Sequence, residues 1–346
     1  MKVKLNQLTP RTTNSFKIND LEIDLNIPTI KNINEYIITG IDKDKIIINS
    51  KIQNKKLTSK IGLEFSKYLE TTIIVPKNII IDNPIELEYT FEKEEPFINQ
   101  LNIILEENSK ADFIIQYKSL NQKEHFNYLK ECLTSKKNSN GTISYINSLN
   151  KNSTNMISIE STQEQSSNIK HNIIDIGGKI RIYNSYMELL EKTSINELNT
   201  IYLGKKDSII DINYDLKNIA EKTENYLNVE GVLTDQSRKK FRGIIDFKKG
   251  SFQSIGKEYE NCLLLSDKCK STSLPMLLCH EEDVIGSHGE STGMVSPEKL
   301  FYLMSRGLAK KEAERLIVIA NFNKIIEQIP KKETRERILK EINKQL

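Results

Sequence analysis

The sequence predicts a mainly β fold that ends in a helical segment. Two observations carry this. From about residue 71 to 292, short apolar runs rich in Ile and Val recur, bounded by Asn, Asp, Gly, Ser or Lys. From residue 293 onward the apolar residues take helical spacing instead. No long amphipathic helix interrupts the first region, which argues against alternating strand–helix units.

The first 70 residues read as an irregular leader. Tyr36–Thr39 and Ile46–Ile48 are short strands, and Lys60–Leu69 is expected to form one short helix. In the core, runs such as Ile73-Ile74-Val75, Ile103-Ile104-Leu105, Ile209-Ile210-Asp211-Ile212 and Gly243-Ile244-Ile245-Asp246-Phe247 are strands. Several alternate apolar with polar residues, so one face is buried and one is wet. A sandwich, a propeller or a β-helix would satisfy this texture. No strict repeat is apparent to choose among them. Very short strands with tight turns lean toward a solenoid, whose coils bury their apolar faces only by stacking.

The last part, residues 293–346, carries clear helix punctuation. Ser296 caps a helix, Pro297 opens it, Glu298 favours its positive end and Gly307 suits its left-handed stop. A second helix is expected from about Ala309 to Ile329, ended by Pro330, and a third from about Lys331 to Lys344.

Composition narrows the function classes. Lys+Arg number 50 against Asp+Glu 47, which leaves no basic footprint for nucleic acid. No apolar run approaches the roughly 20 residues of a membrane span, and the N-terminus lacks a signal-type apolar core. A cytoplasmic location is therefore expected, with no membrane partner. Four cysteines, Cys132, Cys262, Cys269 and Cys279, are too few for a disulfide scaffold and lack CxxC spacing. There is no GxxxxGK[ST] motif, so ATP is not expected to bind this chain in a Walker fashion.

The most specific stretch is Ser287-His288-Gly289-Glu290-Ser291-Thr292-Gly293, followed by Leu300-Phe301-Tyr302-Leu303-Met304-Ser305-Arg306-Gly307. It resembles the C-terminal signature of the SufB/SufD family of iron–sulfur cluster assembly scaffolds. Asn261-Cys262-Leu263-Leu264-Leu265, Phe241-Arg242-Gly243, Ile74-Val75-Pro76-Lys77 and Asn83-Pro84-Ile85 extend the resemblance over roughly residues 70 to 330. The Ser-His-Gly triplet is more similar to the SufD side. Where that family often has a cysteine before the triplet, this sequence has Gly286.

The resemblance implies a right-handed parallel β-helix followed by a small α-helical domain. It implies a non-enzymatic scaffold that works with a SufC-like ATPase and with a SufB-like paralogue or a second copy of itself. It implies a transient iron–sulfur cluster at that subunit interface. His288 is then the leading cluster ligand, because imidazole binds iron through either ring nitrogen. Cys262, Cys269 and Cys279 are further candidates, since thiolates commonly hold such clusters. Leu300, Phe301, Tyr302 and Arg306 become candidates for docking the ATPase. Two alternatives remain at this point. One is a SufB-like subunit that itself accepts sulfur, for which Cys262 stands two positions from the family's cysteine. The other is a β-helical carbohydrate-acting protein, which the lack of any Trp disfavours.

Overall fold

A computed structural model describes residues 2–7, 22–24, 35–40, 45–94 and 96–346. The rest of the expected leader lies outside the described residues. Two nine-stranded sheets face one another. From Tyr68–Val75 onward the chain alternates between them, one strand in each per coil. The first sheet ends with the strand Lys270–Cys279 and the second with Val284–Met294. Within both sheets, successive coils pair in parallel and in register. The molecule is thus a parallel β-helix, as the resemblance implied.

The two ends differ. Ile37–Thr39 and Ile47–Gln53 pair antiparallel with the first strand of each sheet and close the N-terminal end. At the other end, Lys270–Cys279 and Val284–Met294 have no further strand beside them among the described residues.

Alternate residues point inward and fill the lumen, as Ile210, Ile212, Tyr214 and Leu216 do. Part of each outer face is covered as well. Helices α1 (Pro297–Ser305), α2 (Lys310–Ile326) and α3 (Lys332–Gln345) follow the last strand. Phe322, Ile325 and Ile326 of α2 and Ile338 and Ile342 of α3 pack on Ile114, Ile146, Ile174, Ile201 and Val232 of the second sheet. Each such side chain contributes roughly 1.5–3 kcal/mol of burial. On the first sheet, Tyr68, Ile98, Tyr128 and Met156 are covered by Leu5, Ile61 and Phe65.

The helix expected over Lys60–Leu69 is absent. The chain instead turns near Gly62, forms Glu64–Phe65 and enters the strand Tyr68–Val75. Tyr68 packs on the outer cluster while Leu69 faces the lumen, so adjacent apolar residues serve opposite faces of one strand.

The turns hold a repeat hidden in the sequence. Ser139, Ser153 and Ser167 stand 14 residues apart, as do Ser194 and Ser208, and Ser237 and Ser251. All are buried at turn ends. Ser139, Ser167, Ser194, Ser237 and Ser251 each return a hydroxyl hydrogen bond of 2.6–2.8 Å to the carbonyl three residues earlier. On one edge the preceding residue is left-handed, as at Asn108 and Asn138 (φ 58° and 56°). Asparagine tolerates that conformation. The Asn138 amide donates to Asn108 Oδ1 at 3.0 Å, and Asn108 donates to Asn78 Oδ1 at 2.9 Å.

Candidate functional site

The open end of the solenoid gathers the unusual chemistry. In parallel in-register strands, paired residues share a face. Glu258, Glu260 and Cys262 pair with His288, Glu290 and Thr292, and the first three are buried facing the lumen. His288 therefore stands on the lumen side of the last strand, but exposed, because no further coil covers it. Across the mouth, Phe247 pairs with Cys279 and Lys239 with Ser271, so Cys279 also belongs to this last, exposed layer.

One layer deeper lies a buried polar group. Lys239 Nζ forms an ion pair with Glu260 Oε1 and donates to Ser273 Oγ at 2.6 Å. Tyr202 donates its hydroxyl to the same Glu260 oxygen at 3.3 Å. Lys239 and Glu260 are nearly inaccessible, so each charge depends on the other. Beside them, neither carboxyl oxygen of Glu258 has a hydrogen-bond partner. Burial, reinforced by Glu260 and Glu290, pushes its carboxyl up to about 8. Room for it comes from Gly243 opposite, where a Cβ would lie 1.9 Å from Glu258 Oε1.

The four expected cluster ligands do not converge. Cys262 is fully buried in the lumen, and desolvation raises its thiol above the ordinary value despite Lys239. Cys269 occupies a turn-end position of the serine repeat, and its thiol donates to Ser266 O at 2.8 Å, as Ser237 does to Thr234 O. Only His288 and Cys279 are exposed at the mouth. Among the described residues no three His, Cys, Asp or Glu side chains come together as a metal site. Sequence reasoning missed Lys239, Glu258 and Glu260. Their signal was the placement of Glu258, Glu260 and Cys262 on alternate positions of one strand, legible only once inward and outward faces are known.

A second surface follows within two residues of the His288 strand. No residue of α1 is buried. Phe301 is 75% exposed and Tyr302 58% exposed, unusual for large apolar side chains. Ser296 caps α1, accepting from the Lys299 amide at 3.3 Å, and Gly307 takes φ 94° just past its end, both as expected. Arg306 lies over the Tyr302 ring at 5.4 Å.

A family model described as "SUF system FeS cluster assembly, SufBD core domain" matches residues 89–321, more than half the chain. The chain belongs to the SufBD family. Among curated relatives, the iron–sulfur cluster assembly protein SufD of Bacillus subtilis is 24% identical over 278 residues, covering 79% of this chain and 63% of that protein. SufD of Escherichia coli is 23% identical over 175 residues, 49% of this chain and 40% of the relative. A SufBD family protein of Pyrococcus horikoshii is 33% identical over 136 residues, 39% of this chain and 30% of the relative. The chain therefore spans less than two thirds of each of these relatives. Its SufBD core holds the last coils, including His288, and the start of α2. No helix among the described residues is long and apolar enough to cross a membrane.

Proposed function

We propose that this chain is a SufD-like, non-ATPase scaffold subunit of a SUF-type iron–sulfur cluster assembly complex. Its open end pairs with a SufB-like subunit or with a second copy of itself, and its α1 face docks a SufC-like ATPase. The observation that carries this reading is His288, exposed in the middle of a terminal strand whose outer edge is free among the described residues. A free strand edge is a template for pairing with another chain. Such pairing would bring ligands from the partner to His288, which the described residues of this chain do not gather there.

The cluster is cargo, formed and passed on at that interface. His288 offers iron an imidazole nitrogen. The neighbouring Glu258 is held largely as a neutral acid at pH 7, so the layer under His288 carries less negative charge until a cation arrives. ATP-driven closure of the partner ATPase would pull on α1. Only Val295 and Ser296 separate α1 from the His288 strand, so the pull would be transmitted directly to the interface. The buried, poorly ionising Cys262 favours the SufD-like role over one that itself accepts sulfur.

The test is co-expression with the SufC-like ATPase and a SufB-like subunit, followed by pull-down and anaerobic cluster reconstitution. His288→Ala is expected to leave the complex assembled and to lower cluster yield. An unchanged yield would remove the ligand role. Failure of the unmodified chain to retain either partner would remove the scaffold reading as a whole.

A further inference from the structure

The turns along one edge of the solenoid are unequal in length. Register-equivalent residues Asn147 and Thr154 are seven positions apart, and so are Tyr202 and Ile209. Between these two turns, Asp175 and Ile180 are only five apart. The shortened turn contains Gly177 and Gly178. A Cβ on Gly177 would lie 2.2 Å from Leu149 O, and Gly178 takes φ +101°, so both positions require glycine.

The missing residues leave a notch of about 270 Å³ between the flanking turns. Its charged lining is Lys151, Lys179, Arg181, Lys205, Lys206 and a single acid, Asp207. Asp207 is engaged by Lys179 at 3.4 Å. Lys151 and Lys206 come from opposite walls and lie close enough for the Lys206 ammonium to push Lys151 down. Neither has a carboxylate within ion-pair distance of its ammonium among the described residues. The chain as a whole carries a net charge of only +3, so this concentration of cations is local.

The floor of the notch is built rather than loose. Arg181 is 1% exposed and fixed by Asp175 at 3.2 Å, Leu203 O at 2.9 Å and Ser208 Oγ at 3.2 Å, while its Nε has no partner. Two facing ammonium groups that are not ion-paired repel each other, and an anion between them reverses the sign of that interaction. The volume falls just below the range of drug-sized sites, which suits a small ligand.

We propose that this notch binds a small phosphate-bearing anion, clamped between the turns that carry Lys151 and Lys206. The site lies in the middle coils and stands independently of the proposed role in cluster assembly. The experiment is isothermal titration of the 346-residue chain with inorganic phosphate and with pyrophosphate at low ionic strength. Binding of at least one of them is expected. The double variant K151Q/K206Q should bind at least about tenfold more weakly, since two charge-assisted contacts are lost. A control pair on the other turn edge, K192Q/K222Q, should leave the affinity unchanged. A second variant inserts two residues between Gly177 and Gly178 to restore the seven-position spacing, and it should abolish binding by filling the notch. Absence of binding by the unmodified chain overturns the proposal. So does equal weakening by the control pair, which would mean general surface attraction.

Discussion

The carboxyl of Glu258 makes a sharp prediction about stability and pH. Its ordinary value of 4.5 rises in the folded chain to about 8. Between those values the folded state binds a proton that the unfolded chain has released. Stability therefore falls as pH rises through this window, and the whole penalty is present above about pH 8. The interval is roughly 3.5 pH units, which at about 1.36 kcal/mol per unit sets an upper bound near 5 kcal/mol. Water reaching the open end lowers this, so about 2–5 kcal/mol is expected. Glu258→Gln keeps the shape and cannot ionise. Urea unfolding of both proteins at pH 5, 6, 7 and 8 should show the variant gaining on the parent as pH rises, by up to about 1.4 kcal/mol per unit. Two curves that run parallel from pH 5 to 8 would refute the reasoning and place Glu258 in water.

Three further outcomes follow from the packing. Phe301→Ala combined with Tyr302→Ala should reduce ATPase retention in pull-down at least about tenfold, if each exposed side chain supplies an interface anchor. The same double variant should leave thermal unfolding nearly unchanged, because α1 buries no side chain. Phe322→Ala uncovers the second sheet and should cost about 3–5 kcal/mol in urea unfolding, with the chain still retained by a SufB-like partner under native conditions. Cys269→Ser should stay within about 1 kcal/mol of the parent and keep full cluster yield, because serine already fills the equivalent turn positions. A yield that collapses in Cys269→Ser would make that thiol a ligand after all.

The packing of α2 and α3 also guides the choice of perturbation. Deleting the chain from Ser296 onward would strip the cover from Ile114, Ile146, Ile174, Ile201 and Val232, so a lost partner could reflect a damaged solenoid. Point changes at Phe301 and Tyr302 avoid this, since both side chains are largely exposed.

Much of the architecture was legible in the residues. Short β-branched runs encode strands because side-chain shape and local backbone preference act within a few residues. The helix start at Ser296-Pro297 and the stop at Gly307 were readable for the same reason. The 14-residue serine spacing was also present in the sequence, but it escapes a search for strands, because it marks turn ends. The helix expected over Lys60–Leu69 failed because Tyr68 and Leu69 are buried on opposite faces, which periodicity alone cannot separate from a helical stripe.

The candidate site divides along the same line. His288 and the α1 residues stood out through local motifs, and the sequence by itself determined their types and their closeness along the chain. Only the tertiary structure decided that His288 lies at an uncovered end, that Cys262 is sealed one layer below it, and that Cys269 closes a turn. Glu258, Glu260 and Lys239 meet across two sheets, and Lys151 meets Lys206 across a gap left by a shortened turn. Such meetings depend on coil register, which sums the lengths of every intervening turn. Burial then sets which charges are costly, and neither quantity is a property of any short stretch of chain.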